Sequence, residues 1–153
     1  MEKLDRYFEC GIRYEKLLEN GMQKKVTEQY IVQACSFTEA EARFTNEMSA
    51  FISGESEVVS EKITNYTEVV PSAGAEADKW YKVKLNYLSI DERTEKEKKA
   101  AVYYLVQAKD IDDARRLTDA FIASAIIDYT TEAVQETKIM DVYLYNPDGS
   151  LKQ

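Results

Sequence analysis

The sequence predicts an α+β fold made by tandem duplication of one strand–strand–helix–strand (ββαβ) unit. Three observations carry that prediction. Tyr30-Ile31-Val32-Gln33-Ala34 recurs as Tyr104-Leu105-Val106-Gln107-Ala108, at an offset of 74. Tyr7-Phe8-Glu9-Cys10-Gly11-Ile12-Arg13-Tyr14 matches Trp80-Tyr81-Lys82-Val83-Lys84-Leu85-Asn86-Tyr87, and Glu68-Val69 matches Asp141-Val142, both at an offset of 73. Three separated blocks in the same order mark an internal repeat. In each copy the pattern also passes from period-two alternation to helical spacing.

Each copy opens with a half-buried strand. Phe8, Cys10, Ile12 and Tyr14 share one face in the first copy, as Tyr81, Val83, Leu85 and Tyr87 do in the second. A second strand alternates likewise through Glu28, Tyr30, Val32 and Ala34, and through Val102, Tyr104, Val106 and Ala108. Asn20-Gly21 is a strong turn signal between the strands of copy one, whereas copy two turns through the charged run Asp91 to Lys99. Opposed residues of an antiparallel pair share a face, so Cys10 is expected near Val32 and Val83 near Val106. The one-residue difference in offset must then fall in the hairpin turn. Parity points Cys10 inward and Cys35 outward, which argues against a disulfide between them.

A helix follows each hairpin. Ser36-Phe37-Thr38-Glu39 and Asp110-Ile111-Asp112-Asp113 both read as helix-capping sequences. Phe37, Ala40, Phe44, Met48 and Phe51 or Ile52 mark one apolar face, and Gly54 is placed to end that helix. Ile111, Ala114, Phe121, Ile122, Ala125 and Ile126 mark the other. A third strand is expected over about residues 57–70 and again over 133–145. The repeats thus occupy about 5–70 and 79–145, with a linker at 71–78 and a loose C-terminal tail at 146–153. Three strands and one helix make a poor core alone. The expectation is one domain over 1–153 with an approximate two-fold axis, an antiparallel sheet and both helices on one face.

Composition narrows function. The net charge of −8 disfavours a general binder of phosphate backbones and leaves room only for a local basic patch. No apolar run is long enough to span a bilayer. The start, Met1-Glu2-Lys3-Leu4-Asp5-Arg6, lacks the apolar stretch of a signal peptide, so a cytoplasmic location is expected. The chain has no histidine, which removes Ser-His-Asp and Cys-His catalysis. Two isolated cysteines cannot build a structural zinc site, and neither a phosphate-binding loop nor a dinucleotide fingerprint is present. No cofactor, metal or catalytic residue is expected.

Several blocks resemble a known family. They are Tyr7-Phe8-Glu9-Cys10, Gln23-Lys24-Lys25-Val26-Thr27-Glu28, Phe37-Thr38-Glu39-Ala40-Glu41-Ala42-Arg43, Phe51-Ile52-Ser53-Gly54-Glu55, Leu105-Val106-Gln107-Ala108 and Ile139-Met140-Asp141-Val142. The resemblance is to small uncharacterised proteins, a domain of unknown function in Bacteroidetes bacteria and the phages that infect them. It implies a cytoplasmic protein of bacterial or phage origin and transfers no site residues.

The outward sheet face is the candidate binding surface. By parity it carries Tyr7, Glu9, Arg13, Ile31 and Gln33, then Trp80, Lys82, Lys84, Tyr103, Leu105 and Gln107. A solvated face should hold fewer apolar residues. Residues 79–99 are locally basic, with seven Lys or Arg against four Asp or Glu. Two readings follow. In the first, Tyr7, Ile31, Trp80, Lys82, Lys84, Tyr103 and Leu105 belong to an interface or ligand surface of a non-enzymatic binding or assembly protein, self-association included. In the second, Trp80, Lys82, Lys84 and Tyr103 stack single-stranded nucleic acid.

Overall fold

A computed structural model describes residues 5–152; the charged segment Met1-Glu2-Lys3-Leu4 lies outside the described residues, as does Gln153. The described residues form an α+β fold with eight strands and two helices: β1 (Arg6–Leu17), β2 (Gln23–Ala34), α1 (Phe37–Ser49), β3 (Ser56–Ile63), β4 (Tyr66–Val70), β5 (Lys79–Ile90), β6 (Glu97–Ala108), α2 (Ile111–Ile122), β7 (Asp128–Glu136) and β8 (Ile139–Tyr143). The duplication is visible in this order.

The single antiparallel sheet expected from the sequence is instead two four-stranded mixed sheets. One has the order β3-β1-β2-β8 and the other β4-β6-β5-β7. Each expected third strand is broken in two, at Thr64-Asn65 and at Thr137-Lys138. The two pieces of one repeat join different sheets: β4 pairs in parallel with β6 of the other repeat, and β8 pairs in parallel with β2. The two edges match residue for residue. Ile139, Asp141, Val142 and Tyr143 face Gln29, Tyr30, Ile31 and Val32, while Tyr66, Glu68, Val69 and Val70 face Tyr103, Tyr104, Leu105 and Val106. Even the register shift falls at the same place in both.

The chain accordingly divides into two compact units that do not coincide with the repeats. The first comprises the chain up to Thr64 together with the chain from Lys138, and the second is Asn65–Thr137. Equivalent bonds fix the crossing points. The backbone N–H of Thr64 donates to Tyr7 O at 2.9 Å and its hydroxyl to the same oxygen at 2.7 Å. Thr137 does the same to Trp80 O, at 2.9 and 2.8 Å. Beyond each exchanged strand a glutamine of the acceptor strand holds the backbone. Gln33 Oε1 accepts from Tyr145 N at 2.8 Å, and Gln107 Oε1 accepts from Ser72 N at 3.0 Å while Gln107 Nε2 donates to Ala77 O at 3.0 Å. The 71–78 linker is therefore anchored to its sheet.

Inside the first unit, Phe8, Cys10, Ile12, Val32 and Ala34 pack against Ala40, Phe44 and Met48 of α1, with Tyr143 and Tyr145 completing the core. In the second, Tyr81, Val83, Leu85, Tyr104, Val106 and Ala108 meet Ala114 and Ile122 of α2. The faces follow the alternation, but the hairpin register differs by two residues from the expected one. Cys10 lies opposite Tyr30 and Val83 opposite Tyr104, which leaves loops of residues 18–22 and 91–96. The six-residue loop against five absorbs the change of offset. Parity is insensitive to such a slip because the side-chain period is two. Gly21, at φ 82°, supplies the left-handed turn residue that Asn20-Gly21 signals.

Both helix starts have the expected caps. Ser36 Oγ accepts from Glu39 N at 3.1 Å and Asp110 Oδ1 accepts from Asp113 N at 2.8 Å. The helix ends differ from expectation. Helix α1 stops at Ser49 with Ala50 in the right-handed region, so Gly54 lies in the following loop and caps nothing. Phe37, Phe51, Ile111, Phe121 and Ile126 are exposed, whereas Thr118 is buried because its hydroxyl donates to Ala114 O at 2.8 Å within the helix. The tail is not loose: Asn146–Ser150 form a turn, Tyr145 bridges Leu151, and Lys152 N donates to Leu144 O at 2.7 Å. Asp148 and Gly149 supply the turn chemistry that closes it.

Ala40 and Ala114 are fully buried where helix meets sheet. Ala40→Asp and Ala114→Asp should each destabilise their unit by about 3 kcal/mol or more, since an unpaired carboxylate enters the core. Thermal melts indistinguishable from the parent chain would contradict this packing.

Candidate functional site

The residues of the predicted surface all lie on the sheet faces turned away from the helices, but they do not form one exposed patch. Ile31 and Leu105 are fully buried and Trp80 is 4% exposed. Tyr7 is half-buried, and its carbonyl is taken by Thr64. In the second unit Lys82, Lys84 and Tyr103 do converge. The Lys82 ammonium sits 4.7 Å from the Tyr103 ring centroid and 6.0 Å from that of Tyr66. Lys84 Nζ is 6.0 Å from the Tyr103 centroid and pairs with Glu132 at 2.5 Å. The bond to Glu132 raises the Lys84 pKa and lowers that of Glu132. Tyr66 and Glu132 were not apparent from the sequence, because each comes from a strand whose sheet partner the sequence does not name. Trp80 is buried, and Lys82 already covers the face of Tyr103.

The first unit departs from this pattern. Gly11 stands where the repeat has Lys84, and Gln29 where it has Tyr103. A Cβ on Gly11 would lie 2.5 Å from Ser60 Oγ and 2.8 Å from Gln29 Nε2, so only glycine lets both side chains approach. On the helix side of the same sheet, Cys10 is buried opposite Glu61. Burial pushes the Cys10 thiol up to about 12, with Glu61, Glu9 and Glu41 adding to it, so it remains a neutral, unreactive group. Burial, then the nearby Glu41, also raises the Glu61 pKa, and its Oε1 has no hydrogen-bond partner among the described residues. Cys35 is half-buried, and both cysteines are free.

A concave surface that sequence reasoning missed lies at the other end of the first unit. The far end of the β1–β2 hairpin and the loop after α1 enclose a cleft of about 860 Å³. Leu17 and Phe51, 69% and 70% exposed, stand in its lining. Around them Arg13, Lys16 and Lys25 face Glu15, Glu55 and Glu57, a local charge balance within a chain of net −8. Lys16 Nζ also lies 3.7 Å from Glu28. The second unit exposes Ile90, 72% accessible and equivalent to Leu17, at its own hairpin end. The offset-73 pairing of Leu17 with Ile90 was the available signal, since apolar residues at both hairpin ends cannot serve a core.

Among the described residues no group of His, Cys, Asp and Glu is placed to hold a metal ion, and no helix is long and apolar enough to cross a membrane. Comparison with known proteins gives one family: the model of DUF4494, a domain of unknown function, matches residues 6–145. No curated protein and no solved structure matches the chain.

Glu61 supplies a pH test. Its folded pKa is raised, so its contribution to stability is present at low pH and falls as pH climbs through the interval above its ordinary value of 4.5. Glu61→Gln should therefore raise the melting temperature at pH 7, and the gain should vanish below pH 4.5. A variant melting at or below the parent temperature at pH 7 would contradict the assignment.

Proposed function

Since the chain belongs to the DUF4494 family, a domain of unknown function, we propose its role from geometry: it is a non-enzymatic binding protein that takes a protein partner at the cleft of its first unit. The observation that carries this reading is the pair Leu17 and Phe51. Two large apolar side chains held about two-thirds exposed beside a concave, charge-balanced surface suit a contact with another protein. A mixed rim of lysines and glutamates suits a partner carrying both signs, and it selects against a polyanion. The absence of histidine in the sequence removes the commonest general base near neutral pH and supports a binding role over a catalytic one. The cellular setting proposed is the cytoplasm of a Bacteroidetes bacterium, or of one infected by a phage, on the resemblance of the sequence blocks. The nucleic-acid alternative has less support, because Trp80 is buried and Lys82 lies over the Tyr103 ring.

The double variant Leu17→Ser/Phe51→Ser tests the reading. Both side chains are exposed, so the fold should change by no more than about 0.5 kcal/mol per site. Immobilised parent chain should retain a discrete protein from a lysate of its native host, and the variant should not. Equal retention by both would remove the cleft from the account. Retention of single-stranded oligonucleotides that falls steeply with added salt would favour the alternative.

A further inference from the structure

We propose that the β2 edge is a strand-acceptor site whose second occupant is the β8 strand of another copy of this chain. This goes beyond the cleft and rests on different residues.

The acceptor already works across repeats. β2 takes its parallel neighbour from the far repeat, and β6 does the same with β4 in identical register. Pairing at this edge therefore does not depend on a local connection. What selects β8 is side-chain chemistry. Tyr143 stacks on Tyr30 with ring centroids 6.0 Å apart, Arg43 lies 4.1 Å over the Tyr145 ring, and Tyr145 N donates to Gln33 Oε1. Ile139, Tyr143 and Tyr145 are all buried in the process. β4 has Val70 at the position of Tyr143, so it cannot reproduce the Tyr30 stack.

The donor is also short and simply attached. It spans five residues and follows β7 after only Thr137 and Lys138. A β8 from a second copy makes every one of these contacts, because the residues are the same. The closed single chain and the strand-exchanged dimer then differ chiefly in association entropy and in the hinge, the general condition for domain swapping. The tethered strand has an effective concentration on the order of millimolar. Exchange thus requires the edge to open, and the dimer forms when many chains close their edges together at high concentration.

The full-length chain tests this on refolding from denaturant. At about 10 μM it should return as a monomer, and towards about 1 mM an increasing fraction should elute as dimer, the range set by the tethered concentration. Refolding a mixture of isotopically labelled and unlabelled chains should give mixed dimers by native mass spectrometry. Diluted without unfolding, the dimer should persist for hours. Hydrogen exchange should show the same protected amides in monomer and dimer, across Tyr30–Val32 and Asp141–Tyr143, because the interface is unchanged. Tyr143→Ser loses the Tyr30 stack equally in the closed chain and in the dimer, so it should leave the dimer fraction unchanged and shorten the lifetime of the dimer on dilution. A monomer at every concentration would overturn the proposal. A dimer that dissociates at once on dilution, or that protects new amides elsewhere, would do so as well.

Discussion

Four parallel residue pairs at the edge of each sheet hold a strand that belongs, by sequence, to the other repeat. The rest of the molecule depends on this reciprocal exchange. Without β8 the first unit loses Tyr143 and Tyr145 from its core and leaves the backbone groups of β2 unpaired. Without β4 the second unit suffers the same at β6. Neither repeat can complete its own sheet edge in this arrangement, so the two halves fold as dependants of one another. The side chains that secure the exchange, Thr64 and Thr137 at the crossings and Gln33 and Gln107 beyond them, occur in equivalent pairs. The duplication thus preserved the means of exchange along with the hairpins and helices.

What was legible in the sequence was local. Alternation in Phe8 to Tyr14 and in Tyr81 to Tyr87 fixed which residues face the helices, and Ser36 and Asp110 marked both helix starts. The exchange was not legible. Glu68-Val69 and Asp141-Val142 carry the same pattern, so either strand would satisfy either edge by alternation alone. The break at Thr64-Asn65 has no Gly or Pro to announce it. The two-residue slip in hairpin register went unseen for a related reason: it leaves every side chain on its original face.

The repeats differ on their outward sheet faces and in one exchanged strand. Equivalent positions hold Gly11 and Lys84, Gln29 and Tyr103, Val70 and Tyr143. The second unit fills its outward face with Lys82, Lys84, Tyr66 and Tyr103, held by Glu132, while the first leaves room there for Gln29 and Ser60 to cross at Gly11. The apolar hairpin ends, Leu17 and Ile90, are kept in both units, yet the cleft is formed by the first unit's own loop after α1. A surface read from parity alone selected Ile31, Leu105 and Trp80, which are buried; exposed apolar side chains beside a concavity are the better guide.

Reciprocal exchange makes one demand that ordinary tandem domains do not. If a protease site is placed in the exposed 73–76 segment and the folded chain is cut there, each fragment still supplies a strand to a sheet built mainly by the other. The cut protein should then elute as one particle of unchanged size, and its fragments should part only in denaturant. Separation of the fragments at micromolar concentration under native conditions, with each remaining folded, would contradict the strand exchange on which this account of the fold rests.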